Sequence, residues 1–120
     1  MKKFKHIQEL NDKEFEDLMF LSTDISKQRT NLNYILYAPS KCYFNKYNPF
    51  IFVFKDNDQK INACFKISSN PYILNNDFLS NDDILLIISF IKQNKNILIK
   101  NWNWKCSSKE LKNKLTGIIK

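Results

Sequence analysis

The sequence predicts an α+β domain. Three observations carry this: apolar segments that open on helix-capping residues near both ends, a central run of β-branched and aromatic segments, and a polar hexapeptide that can reverse the chain within that run. Asn11 is followed three positions later by Glu14, the spacing at which a cap and an acid satisfy each other's free N–H groups. Phe15, Leu18, Met19 and Ser22 then recur at helical spacing, so a helix of about three turns is expected from Asp12 to the low twenties, fading near Thr23 and Asp24.

From Asn31 onward NLNYILYA, CYF, FIFVFK and INACFKI read as strands. In the last of these Ile61, Ala63, Phe65 and Ile67 alternate with Asn62, Cys64 and Lys66, the period of a sheet with one dry face. The polar KDNDQK between Phe54 and Ile61 predicts a hairpin of Phe50–Lys55 with Ile61–Ile67. Pro39 and Pro49 mark where strands cannot continue, and Asn70-Pro71 closes the second arm.

Ser80 with Asp83 is a second cap, and its acids suit the positive end of a helix. That helix sets Ile84, Ile87, Ile88, Ile91, Leu98 and Trp102 on one stripe, interrupted by Asn94 and Lys95, which is the pattern of a helix covering a sheet. Ser107 with Glu110 opens a short terminal helix whose Leu111, Leu115, Ile118 and Ile119 can dock. The expected architecture over residues 1–120 is a single domain: an N-terminal helix, an antiparallel meander of three or four strands, a long covering helix and a short C-terminal helix.

Hydrophobic residues make up 43% of the 120 and aromatics 14%, enough for a packed core to offset chain entropy. The net charge of +7 favours polyanionic partners, but Lys, Asn, Ile, Phe and Tyr are the residues of A/T-rich codons, and the lysines are spread along the chain. Cys42, Cys64 and Cys106 are an odd number without CxxC spacing, and His6 is the only histidine; this disfavours a zinc site. Cys64 reads as buried strand packing, with Cys42 and Cys106 as loop-side free thiols. The longest apolar run, Ile84 to Ile88, is far short of a membrane span, and no signal peptide is read at the N-terminus; a reducing cytoplasm is expected.

For catalysis the inventory is thin. His6 has no serine, cysteine or acid in an ordered relay, Asp12, Glu14, Glu16 and Asp17 read as a solvated helix face, and Asp56 with Asp58 lacks the glycine and distal glutamate of a calcium loop. No catalytic residue, metal site or cofactor is expected.

Two aromatic and lysine mixtures are the candidate contact surfaces. Lys41, Tyr43, Phe44, Lys46 and Tyr47 fall in one; Lys100, Trp104 and Lys105 fall in the other. Rings that stack on bases beside ammonium groups that hold phosphates are the chemistry of single-strand binding, whereas rings folded onto the domain are the structural alternative. Trp102 shares the stripe of Ile91 and Leu98 and belongs to the core; Trp104, two residues on, leaves it.

The block from Ile67 to Asn103 resembles short uncharacterised bacterial and phage proteins, in which a strand and proline turn lead to a capped helix of the pattern I-x-x-F/W-I-x-x-N-x-x-x-L-x-x-x-W-N. Ile87, Phe90, Ile91, Asn94, Leu98, Trp102 and Asn103 carry the match, over about a third of the chain. The resemblance implies a phage or mobile-element protein of toxin–antitoxin or accessory type. The expectation from residues and resemblance together is a non-enzymatic accessory protein that occupies a protein or nucleoprotein partner, as an inhibitor of a host defence (anti-CRISPR-like) or toxin system. A second reading is direct nucleic-acid binding, and a third is a nuclease toxin using His6, Arg29 and lysines. No membrane partner is expected, and a homodimer through a sheet edge or Trp104 stays open.

Overall fold

The chain is described by a computed structural model at residues 13, 22–39, 49–55, 58–103 and 105–118. Among these residues the elements run β1 (Thr23–Ile25), α1 (Lys27–Thr30), β2 (Leu36–Ala38), β3 (Phe50–Lys55), β4 (Asp58–Lys66), β5 (Ile73–Asn76), α2 (Asn81–Trp102) and α3 (Ser108–Lys114). The five strands pair in the order β1-β2-β3-β4-β5, each antiparallel to its neighbour.

The α+β class, the meander, the long covering helix and the short terminal helix are all present, but the sheet has five strands where three or four were expected. Two of these were missed. β1 is only three residues long and occupies Thr23–Ile25, where a helix was expected to fade. β5 is an edge strand, Ile-Leu-Asn-Asn, and asparagine is depleted in strands. The N-terminal helix is not seen: apart from Lys13, which is helical, its residues up to Leu21 lie outside the described ones, as does the CYF segment. NLNYILYA contributes only Leu36–Ala38 to the sheet.

The hairpin of β3 and β4 pairs Phe50 with Lys66, Phe52 with Cys64 and Phe54 with Asn62. Its turn is tighter than the expected hexapeptide, because Lys55 already pairs with Asp58. Successive strand residues face opposite ways. Ile51 and Val53 therefore join Ala63, Phe65, Leu36 and Ile25 beneath α2, while Phe50, Phe52 and Phe54 face away from it. Both sets are buried, so FIFVF shows no alternation: a strand dry on both faces reads as a continuous apolar run. On the far face Tyr37 stacks on Phe52 with ring centroids 5.4 Å apart, and Trp102 meets Phe50 edge-on at 5.3 Å. Trp102 is 3% exposed, buried as expected, but it packs against Phe50 at the end of α2 and not in the cluster that holds Ile91 and Leu98.

Helix α2 starts where the cap predicts, with Ser80 Oγ accepting from Asp83 N at 3.2 Å. The turn before it is built by Asn76, whose side-chain oxygen accepts from Phe78 N and Leu79 N at 3.2 and 2.8 Å. Its buried residues are Ile87, Phe90, Ile91, Asn94, Leu98, Asn101 and Trp102. Ile84 and Ile88 are only half-buried, at the margin of the stripe. Helix α3 carries the full capping box between Ser107 and Glu110, and Leu111 on its inner face reaches the core together with Ile118 beyond it. No helix of the described residues is long and apolar enough to cross a membrane.

Cys64 and Cys106 are free and buried. Cys106 lies in the loop before α3, as expected, but turns inward, its thiol 3.9 Å from the Ile97 carbonyl oxygen. Burial holds the Cys64 thiol well above its ordinary pKa, against a smaller opposing effect of its backbone bond with Phe65. Burial also raises Cys106, reinforced by the charge of Glu110 and opposed by Lys114, Lys100 and Asn101.

Ile91→Ala, which empties a fully buried site, lowers the unfolding free energy in urea by about 2–5 kcal/mol, whereas Leu85→Ala at a 62% exposed position changes it by less than about 0.5 kcal/mol. In a Cys42→Ala background, Cys64 and Cys106 react with a thiol reagent only after denaturation. Because the unfolded chain gives up thiol protons that the fold retains, stability falls as pH rises above the ordinary thiol value of 9.0, and urea midpoints measured across that value check this.

Candidate functional site

The stripe that α2 lays on the sheet is broken by an amide, and that amide organises the end of the chain. Asn94 is 4% exposed, yet its polar atoms are satisfied. Nδ2 donates to the carbonyls of Phe90 and Thr116 at 2.9 and 3.0 Å, and Oδ1 accepts from Thr116 N at 2.8 Å. Gln93 adds donations from Nε2 to the carbonyls of Thr116 and Gly117, at 3.0 and 3.1 Å. The far side of this tail is tied to α1: Ile118 N donates to Thr30 O at 2.8 Å, and Asn31 Nδ2 donates to Ile118 O at 2.7 Å. Asn31 adopts a left-handed φ of 61° to end α1, a conformation asparagine tolerates.

The chain's single glycine lies in this tail because the passage is narrow. A Cβ on Gly117 would stand 2.9 Å from the Arg29 carbonyl oxygen, a backbone atom that cannot swing aside. Arg29 itself donates from Nη1 to Lys112 O at 2.6 Å, a bond that ties α1 to α3.

The tail, the second half of α2 and the loop after β4 enclose an open cleft of about 500 Å³. Ser69, Lys92, Lys95, Asn96, Lys114 and Thr116 line it, with Asn94 and Gln93 at the seam where the tail is held. Lys95 Nζ donates to Ser69 Oγ at 3.1 Å, so its nearest partner is a neutral hydroxyl. Among the described residues no carboxylate lines the cleft, and Lys92, Lys95 and Lys114 form no ion pair; the pair that does form, Lys112 with Asp24 at 3.9 Å, lies elsewhere.

The cleft sits in a strongly polarised part of the chain. Residues 1–91 hold eleven basic and eleven acidic side chains, while residues 92–120 hold eight lysines and one acid, Glu110; the net charge of +7 belongs wholly to the C-terminal quarter. The lysines read as scattered are thus balanced by acids in the first three quarters of the chain and unbalanced at the end. A running sum of charge along the sequence is the signal that finds Lys92, Lys95 and Lys114.

Of the residues expected to form contact surfaces, Lys41, Tyr43, Phe44, Lys46, Tyr47 and Trp104 lie outside the described residues. Lys100 and Lys105 are both exposed, and the bond from Lys105 N to Lys100 O at 2.8 Å brings them together at the end of α2. Near a helix C-terminus these ammonium groups also complement the partial negative charge of the last carbonyls. His6, Asp12, Glu14, Glu16, Asp17 and Asp56 lie outside the described residues. Among those described, no group of three or more His, Cys, Asp or Glu side chains is placed to hold a metal ion.

No protein-family model matches the chain, and neither a curated protein nor a solved structure is significantly similar to it.

Asn94→Ala removes both bonds to Thr116 and costs about 1–3 kcal/mol, with amide exchange accelerated at Thr116 and Ile118 ahead of the rest of the chain. Gly117→Ala forces the tail off the Arg29 carbonyl and costs a similar amount, about 1–3 kcal/mol in denaturant unfolding.

Proposed function

We propose that this protein is a non-enzymatic accessory factor that works by occupying a polyanionic partner, a nucleic acid or a nucleoprotein complex, through the lysine-rich surface formed by the second half of α2 and the chain beyond it. The observation that carries the reading is the segregation of charge: every unit of the net +7 lies in residues 92–120. A lysine excess arising from codon usage alone has no reason to be cancelled by acids over three quarters of the chain and left uncancelled over the rest. An unbalanced basic surface attracts phosphate backbones over a range set by the Debye length, and contact then releases the counterions condensed on them.

The surface is made of lysines, which grip phosphate as point charges. Arg29, the only arginine of the chain and the residue type best suited to bidentate base recognition, is held in a structural bond. Binding of this kind suits occlusion of a phosphate-rich site more than the reading of a sequence. A mobile-element protein in the cytoplasm that blocks a nucleoprotein defence complex would act in this way, by competing for the path of its nucleic acid.

The reading predicts that purified protein binds short DNA or RNA with an affinity that falls steeply between low and physiological salt. The Lys100→Ala/Lys105→Ala variant should bind more weakly, with a salt slope reduced by about 1–2. Absence of binding at low salt would leave the charge as surface composition and direct attention to a protein partner with an acidic face.

A further inference from the structure

The cleft between α2 and the C-terminal tail has a chemistry more specific than a basic surface. We infer that it is a phosphate-gripping subsite, in which Lys92, Lys95 and Lys114 surround one phosphate group of a nucleic-acid backbone and hold it without reading the base. This rests on the polyanion reading above and deepens it by locating the grip.

Three ammonium groups border one open cleft of about 500 Å³, with no carboxylate among the described lining residues to neutralise them. Lys92 and Lys95 are three residues apart on α2, about one turn, so they emerge on neighbouring parts of one face, and Lys114 comes from the end of α3. The hydroxyl of Ser69 already receives a bond from Lys95 and positions that side chain at the cleft. A ligand entering here meets donors, which is the complement of a phosphodiester whose oxygens only accept.

The same geometry restricts the means of reading sequence. Asparagine and glutamine read adenine by using both halves of the amide. In the cleft wall, Asn94 uses its oxygen and nitrogen on Thr116, and Gln93 spends its donor on the carbonyls of Thr116 and Gly117. Among the described lining residues, Asn96 is left as the uncommitted amide. Among the described lining residues Ile97 is the only apolar side chain, and none of them carries a ring on which a base could stack. Groups that hold phosphates fix position, and groups that touch base edges specify sequence; this cleft has the former.

The test uses the full chain and two probes, inorganic tripolyphosphate and a short DNA duplex, titrated calorimetrically at constant ionic strength. Three variants are compared with the parent: Lys92→Gln/Lys95→Gln/Lys114→Gln, the exposed pair Lys92→Gln/Lys114→Gln, and Lys100→Gln/Lys105→Gln, with thermal melts confirming that each folds. Saturable binding of tripolyphosphate at one site per chain is expected. The triple variant should weaken both probes by about tenfold or more and reduce the duplex salt slope by about 2–3, equally for different base sequences. The Lys100→Gln/Lys105→Gln variant should weaken the duplex and spare tripolyphosphate. Duplex binding unchanged in the triple and double cleft variants would overturn the subsite and leave the polyanion reading standing. Tripolyphosphate binding that depends on the three lysines, with no duplex binding, would support the site as one for free polyphosphates and overturn the nucleic-acid partner. Strong dependence of affinity on base sequence, lost with the cleft lysines, would overturn recognition by phosphate alone.

Discussion

Helix α2 has to bury an apolar stripe against the sheet while carrying Asn94 in the middle of that stripe, and the way this amide is satisfied determines the end of the molecule. A buried amide without partners costs about 1–3 kcal/mol, so the fold must bring hydrogen-bonding groups to it. The backbone of Thr116 supplies a donor and an acceptor, which pins the segment after α3 alongside α2. Once Thr116 is fixed, the next residue must cross the carbonyls of Arg29 and Thr30, and only a residue without a side chain fits. Ile118 then closes the path by bonding to Thr30 and Asn31. The cleft wall formed by the tail follows from this one side chain, while α3 is held also by Leu111 in the core and by Arg29 on Lys112 O.

Charge is distributed in a way the core does not require. Burial under α2 needs the stripe from Ile87 to Leu98 to be apolar and places no demand on the sign of the outward residues. The N-terminal end of α2 carries Asp82 and Asp83, where the helix dipole favours them, and Lys100 lies at the other end for the same reason. The dipole acts only on the first and last turns. It favours Lys112 and Lys114 in the last turn of α3 but does not account for Lys92 and Lys95 in the second half of α2 or Lys109 in the first turn of α3, and together these lysines make the C-terminal quarter positive.

Much of this architecture was legible in the residues, and the misses have physical causes. The caps at Ser80 and Ser107 act locally, so their sequence spacing was enough to place both helices. The β3–β4 hairpin followed from two apolar arms and a polar turn. β1 and β5 are short strands at the sheet edges, held by pairing with a neighbour that local propensity does not register. Asparagine was the most underread residue. Its abundance looked like codon usage, yet Asn31 ends a helix, Asn76 builds the turn before α2, Asn75 bonds to both oxygens of Asn62, and Asn94 clamps the tail. Each of these roles depends on a tertiary or turn partner, which composition does not reveal. The lysines of the cleft escape notice for a different reason: they are spread along the chain like the others, and their lack of compensating acids appears only when charge is summed along it.

Under the proposed function this molecule meets its partner through the positive C-terminal quarter and the cleft within it. Backbone chemical-shift mapping of the full chain, with a short DNA duplex added in steps at low salt, tests it most directly. Perturbations are expected to concentrate at Ser69, residues 92–100 and residues 105–118, and to fade together as salt is raised. Perturbations centred on the β1 edge or the N-terminal end of α2, or none at any concentration of duplex, would contradict it.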